Sequence, residues 1–157
     1  MLAFDITFLL KHNQSLHGQG NDGISRGFRS RYNKADRLLR EKKFVDAKAM
    51  LDELRETNAK NLQEQALSAW LHSLYYSSQQ DWFAYRDNVL TAHRLRDHLP
   101  AKMAIRSTQN LIDWHKYQKQ YSEALYVINS LSHIEGATIS EESRSAMIAP
   151  IVKAMKG

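Results

Sequence analysis

The sequence predicts an all-α fold, and three observations support this prediction. Apolar residues recur at helical spacing from about residue 30 to the C-terminus, and short polar turns separate the apolar stretches. Residues that break helices are few, because the 157 residues include only two prolines and six glycines. A chain of this length forms one domain with a sizeable core.

The spacing predicts seven helices, over residues 30–40, 44–55, 62–78, 82–96, 100–119, 121–131 and 140–156. Pro100 suits the first turn of the fifth helix, where its missing N–H costs nothing. Ser140 and the two glutamates after it suit the start of the last helix. The apolar stripes that define the helices are, in order, Ala35/Leu38/Leu39, Phe44/Ala47/Leu51/Leu54, Leu62/Ala66/Trp70/Leu74, Trp82/Tyr85/Val89/Ala92, Met103/Leu111/Ile112/Trp114, Ala124/Leu125/Ile128/Leu131 and Met147/Ile148/Ile151/Met155.

Residues 1–29 are predicted to lie outside the helical domain, which spans 30–157. Residues 1–13 are apolar, and their period does not decide between strand and helix. The stretch that follows, up to residue 29, is rich in Gly, Ser, Asn and Asp, a composition typical of flexible linkers. The net charge of +5 originates in residues 1–43, which hold nine Lys/Arg and four Asp/Glu, whereas the remainder is neutral.

No secretory signal pattern or membrane-length apolar stretch is visible in the sequence. We therefore expect a soluble chain with no membrane insertion. The absence of cysteine does not decide the compartment. A cytoplasmic location is favoured, and a periplasmic one is the alternative if the chain is cut from a longer protein.

Three aromatic residues recur at a nearly fixed interval. Phe44, Trp82 and Tyr121 lie 38 and 39 residues apart, and each opens a helix directly after a short polar turn. A period between about 20 and 50 residues that is built from helix pairs is typical of an α-solenoid. The alternative is an unrelated helical bundle in which the spacing is accidental.

The segments Phe44-x2-Ala47-x3-Leu51 and Tyr121-x2-Ala124-x3-Ile128 resemble tetratricopeptide (TPR) repeats. The middle segment departs from that pattern, because Tyr85 stands where the family has alanine. The Leu-Gly pair of the family is missing, and the period exceeds the family's roughly 34 residues. The resemblance covers residues 30–131. It implies an α-solenoid of about three TPR-like helix-turn-helix repeats, with the last helix as a C-terminal cap.

The resemblance also implies a concave groove lined by the first helix of each repeat. Mixed charge with large aromatic residues is typical of binding hot spots, and an ordinary helix surface with Trp70 half-buried is the alternative. Ligands that present a C-terminal carboxylate are disfavoured, because Tyr32 and Asp36 stand where such family members have a Lys/Asn pair. The predicted partner-binding residues are Tyr32, Asp36, Arg40, Trp70, Leu74, Ser77, Arg106, Gln109, Asp113, Lys116 and Tyr117.

No catalytic, cofactor-binding or metal site is predicted. The seven histidines are scattered without a metal-binding spacing, and the glycines match no nucleotide-binding motif. Without cysteine or a serine elbow, nucleophilic catalysis has no candidate residue. The sequence therefore favours a protein that is not an enzyme.

The function that the sequence favours is protein–protein interaction, in which a scaffold or adaptor domain binds a partner peptide or helix. The first alternative is nucleic-acid binding through the segment from Arg26 to Arg31, where arginines flank Phe28. It is disfavoured because the segment is short and the rest of the chain is neutral. The second alternative is self-assembly into a homo-oligomer through the solenoid ends or residues 1–13.

Overall fold

The computed structural model describes residues 24–57, 61–134 and 139–157. Within these ranges there are seven α-helices and no strand, which confirms the predicted all-α class. Two single 3-10 turns, Arg96–His98 and Leu131–His133, follow the fourth and sixth helices. The prediction for residues 1–13 falls outside the described residues. The helices are α1 Arg26–Arg40, α2 Phe44–Thr57, α3 Leu62–Ser78, α4 Trp82–Arg94, α5 Ala101–Tyr117, α6 Tyr121–Ser130 and α7 Glu141–Lys156.

Helix α1 begins four residues before the predicted start, inside the segment that was expected to be a linker. The Ser25 side chain caps it by accepting a hydrogen bond from the backbone N–H of Phe28. Phe28 itself is buried in the core, so the first turn of the helix is held by packing as well as by its cap. The predicted boundary between residues 29 and 30 therefore lies within α1.

Each helix packs against its neighbours in sequence. The closest pairs are α1–α2, α3–α4 and α5–α6, which form three helical hairpins, and α7 packs on α6. Helices α1 and α3 also contact each other, and the backbone N–H of Ser25 donates to a carboxylate oxygen of Glu64 at 2.8 Å. None of the described helices has the length and apolar character needed to cross a membrane.

The three hairpins share one turn conformation. The residue two positions before each opening aromatic has a positive φ: 60° at Lys42, 56° at Gln80 and 59° at Lys119. The next backbone N–H donates to the carbonyl five residues earlier, which is the Schellman termination of a helix. These bonds are Lys43 to Leu38 at 2.9 Å, Asp81 to Tyr76 at 3.0 Å and Gln120 to His115 at 2.8 Å.

The core lies along the hairpin interfaces. In the second helix of each hairpin, the residues three and seven positions after the opening aromatic are buried. The opening aromatics Phe44, Trp82 and Tyr121 are only half-buried against that core. The buried positions are Ala47 and Leu51 in α2, Tyr85 and Val89 in α4, and Ala124 and Ile128 in α6.

Candidate binding cleft

The structure does not present the predicted groove as one open surface. Tyr32, Asp36, Trp70 and Leu74 are buried, so their side chains cannot form an exposed binding face. Helix α3 is buried at every residue from Ala66 to Leu74, and α1 packs against it. These four predictions of exposed residues are wrong, because the side chains belong to the core. The Asp36 carboxylate is paired with Arg40 one helical turn later.

The remaining predicted residues lie at intermediate depth or at the surface. Ser77, Arg106, Gln109 and Asp113 are half-buried, whereas Arg40, Lys116 and Tyr117 are exposed. Partial burial raises the pKa of the Asp113 carboxyl, and the positive charges of Lys116 and Arg106 oppose that rise. Burial also raises the pKa of the Tyr85 hydroxyl, and the negative charge of Asp113 raises it further.

The basic segment from Arg26 to Arg31 differs from its prediction as well. It is helical, and Phe28 is buried, so no aromatic ring is available there to stack on a base. Arg26 and Arg29 remain exposed. What remains is a cationic helix face without the aromatic component that the sequence suggested.

An open cleft of about 670 Å³ lies between α4 and α5, at the end of the molecule where the hairpin turns are. Its walls carry three aromatic side chains, Trp82 and Phe83 at the start of α4 and Trp114 near the end of α5. Leu90 and Leu111 add aliphatic surface. The amide side chains of Gln80, Gln118 and Gln120 belong to the two adjoining hairpin turns.

Phe83 is the most unusual residue in the cleft, because 77% of it is exposed. Its neighbour Trp82 packs edge-on against buried Tyr85, with ring centroids 5.5 Å apart. One aromatic of the pair is therefore fixed by the core while the other faces solvent. An exposed phenylalanine beside two further aromatics is typical of interaction surfaces.

The charged side chains that line the cleft interact with neighbouring groups of the protein. The Arg86 guanidinium lies 5.8 Å from the centre of the Phe83 ring and donates to the Asp87 carboxylate at 2.9 Å. The Asp81 carboxylate caps α4 by accepting the backbone N–H of Ala84 at 3.3 Å. The His115 ring bonds to Gln120 Oε1 at 2.9 Å, with Nδ1 as the donor. The cleft is thus amphipathic and close to neutral.

Two histidines outside the cleft are shielded from solvent, His72 completely and His93 in part. Burial lowers the pKa of His72 to about 4, and its Nδ1 lies 2.8 Å from the carbonyl oxygen of Ser68. Burial also lowers the pKa of His93 to about 4, with a further contribution from the Arg96 charge, and its Nδ1 lies 3.0 Å from the Thr108 hydroxyl. Both rings are therefore neutral near pH 7.

Among residues 24–57, 61–134 and 139–157, no group of three or more His, Asp or Glu side chains is arranged to hold a metal ion. No protein-family model, curated protein sequence or solved structure matches this chain.

The adjacent pair Trp82-Phe83 is a sequence signal for the cleft. Phe83 directly follows Trp82, and adjacent residues of a helix point about 100° apart, so both rings cannot face the same core. The partners from α5, Trp114 and His115, required the packing of α4 against α5 to be known. The predicted groove residues lie instead on α1, α3 and α5, the first helices of the three hairpins.

Proposed function

We propose that this chain is a protein–protein interaction module, a scaffold or adaptor, whose binding surface is the cleft between α4 and α5. The observation that carries the proposal is the exposure of Phe83 within a cleft that also contains Trp82 and Trp114. Aromatic side chains are enriched among the interface residues that contribute most of the binding free energy. Here three of them line one cleft. No chemical step is part of this function.

We further propose that the three hairpins form a TPR-like α-solenoid, with α7 as its cap. The recurrence of the same Schellman turn at intervals of 38 and 39 residues supports this arrangement. Burial of the equivalent positions in α2, α4 and α6 supports it too. Helix α7 buries Ile151 and packs Met147 and Ile148 against the core, as a terminal element that covers an apolar end does.

The binding mechanism is burial of partner side chains against a surface that is already formed. Trp82 packs against Tyr85, and Asp81 caps the helix that begins at Trp82. The protein therefore loses little conformational freedom on binding. The ordering cost then falls mainly on the partner, as expected when a short peptide binds a rigid domain.

The proposal is tested by comparing two exposed aromatics. Phe83 lies in the cleft, whereas Tyr126 in α6 lies outside it and is equally accessible, with 79% exposed. Proteins captured from the native host by the wild-type chain are purified, and their direct binding is measured by calorimetry. We expect Phe83→Ala combined with Arg86→Ala to weaken binding at least about tenfold, a loss of about 1.4 kcal/mol that only the dominant residues of an interface reach. Tyr126→Ala should leave binding unchanged.

Equal binding by all variants would overturn the assignment of the cleft. Tight binding of single-stranded oligonucleotides that is lost when Arg26, Arg29 and Arg31 become alanine would instead establish nucleic-acid binding. A concentration-dependent dimer that the Phe83 variant does not form would show that the cleft serves self-assembly.

A further inference from the structure

We infer that the exposed face of α1 binds the sugar-phosphate backbone of a nucleic-acid duplex, independently of the base sequence. This surface lies outside the cleft, and the inference goes beyond the proposed function. The basic face, as we call it, consists of four exposed side chains: Arg26, Arg29, Lys34 and Arg37. They fall within about 140° of the helix circumference and about 16 Å of its axis, so they form one stripe.

The charge of the basic face is not compensated by the protein. The only acid in α1, Asp36, is buried and paired with Arg40. In the part of the chain that the structure describes, none of the four cations of the basic face forms an ion pair. An external anion therefore gains four positive charges without breaking an existing ion pair.

The stability of the helix does not account for this arrangement. The first turn of α1 contains Arg26 and Arg29 and no acid, although the positive end of a helix dipole favours acids there. The carboxylate of Glu64 binds the backbone N–H of Ser25 at this end, but Glu64 is buried, so the exposed side of the turn carries positive charge only. A bound anion would relieve this repulsion. Local arrangements that oppose folding are expected at functional positions.

Two features of the surroundings select a narrow polyanion. Along α1, which the structure describes in full, no large apolar side chain is exposed. Protein interfaces have an apolar core, and membrane-surface helices bury an apolar face, so neither partner matches the basic face. A narrow rod can lie along one helix, whereas a broad anionic surface would also approach α2. That helix packs on α1 and exposes four acids, Asp46, Asp52, Glu53 and Glu56.

A nucleic-acid duplex has the charge density and shape that the basic face requires. It carries one negative charge per about 1.7 Å of its axis, so about ten phosphates lie along the basic face. Three of the four cations are arginines, whose planar guanidinium can bind two phosphate oxygens at once. Single strands bind largely by stacking of bases on aromatic rings, and both aromatics of α1, Phe28 and Tyr32, are buried. A duplex, which presents phosphates and keeps its bases stacked, is therefore the better match.

The experiment measures binding of a fluorescein-labelled DNA duplex to the full chain by fluorescence anisotropy at several salt concentrations. Four phosphate contacts predict a slope of about −3.6 in log K against log salt. The triple variant Arg29→Gln, Lys34→Gln, Arg37→Gln should bind at least about tenfold more weakly at low salt, with a slope of about −0.9. A single strand of the same length should bind the wild-type chain more weakly than the duplex.

The matched control removes the same charge elsewhere, by changing to glutamine three exposed lysines of α5 and α7: Lys102, Lys153 and Lys156. It should keep the affinity and the slope of the wild-type chain, as should Phe83→Ala in the cleft. Circular dichroism of each variant establishes that the fold is retained.

Three outcomes would overturn the inference. The first is no duplex binding at about 50 mM salt, where electrostatic contacts are strong. The second is an equal loss in the basic-face variant and in either control, which would show that the basic face is not the site. The third is tighter binding, dependent on the basic face, of poly-glutamate or of vesicles of phosphatidylcholine and phosphatidylserine. That result would assign the face to an acidic protein or to a membrane surface.

Discussion

The second hairpin differs from the first and third in the side chain that packs between its helices and in the aromatic residues at its surface. Helices α2 and α6 place Ala47 and Ala124 against the facing helices, whereas α4 places Tyr85 there, and all three residues are completely buried. The hairpin turns before these helices are nevertheless the same, down to the sign of φ. The same turn conformation therefore occurs with buried side chains of very different volume.

The difference extends to the surface. Tyr85 packs against Trp82, and Trp82 with Phe83 forms one wall of the cleft. The hairpin that departs most from the repeat pattern is thus the one that contributes Trp82 and Phe83 to the candidate site. Local departures from a regular pattern are expected at functional positions, because they are retained only where something compensates for them.

The largest effect is expected from making the second hairpin resemble the other two. Tyr85→Ala matches the repeat pattern but removes a completely buried ring, so it should lower the free energy of unfolding by about 3–5 kcal/mol. Chemical denaturation measures the change. Tyr85→Phe keeps the ring and its packing, so it should change stability by much less than Tyr85→Ala. A stability unchanged by Tyr85→Ala would show that the side chain is not a packing element of the core.

The converse change enlarges the alanine positions. Ala47→Leu and Ala124→Leu overpack a close helix contact and should each cost about 1–3 kcal/mol. Ala146, which is exposed on α7, provides the control, and its change to leucine should have little effect on stability. Similar small effects at all three sites would show that Ala47 and Ala124 do not lie at equivalent close contacts in the first and third hairpins.

The buried histidine of α3 makes stability depend on pH. His72 has a pKa of about 4 in the folded chain, below the value of about 6.5 expected when unfolded. Protons therefore bind the unfolded state first, so stability is complete above pH 6.5 and falls as the pH decreases from 6.5 towards 4. The slope from this residue reaches up to about 1.4 kcal/mol per pH unit.

Denaturant titrations at pH 7, 6 and 5 measure this slope in the wild-type chain and two variants. His72→Gln should reduce the dependence on pH, whereas His98→Gln, at an exposed position, should preserve it. A slope that is identical in the His72 variant would contradict the assignment.

The smallest expected effect concerns the shared turns. Gln80 holds φ at 56°, a conformation that glycine adopts without the steric cost of a Cβ atom. Gln80→Gly should therefore stabilise the chain by about 0.5–1 kcal/mol. Gln79→Gly is the matched control, because Gln79 has φ −90° and gains nothing from glycine. A thermal melt that ranks the two variants in the opposite order would contradict the turn geometry.

The sequence was informative about the fold because helical spacing is a local signal. The seven helices and the burial of Ala47, Tyr85 and Ala124 follow from periods that are visible in the chain. The start of α1 was missed because Gly27 lies in a glycine-rich stretch, whereas the Ser25 cap and the packing of Phe28 hold the helix there.

The candidate site was less predictable, because burial on the first helices depends on how they pack together. Tyr32 and Trp70 are suited equally to a groove or to a core, and only the packing around α1 and α3 decides between them. The cleft joins residues about 30 positions apart in sequence, such as Phe83 and Trp114. Helical periodicity carries no information on that pairing.

Crosslinking tests most directly whether the cleft between α4 and α5 is the binding surface. A photoreactive phenylalanine analogue replaces Phe83 in one sample and Tyr126 in another, and each sample is irradiated with the captured partner. We expect a covalent adduct from position 83 and none from position 126. Adducts from position 126 alone, or equal yields from both positions, would contradict it.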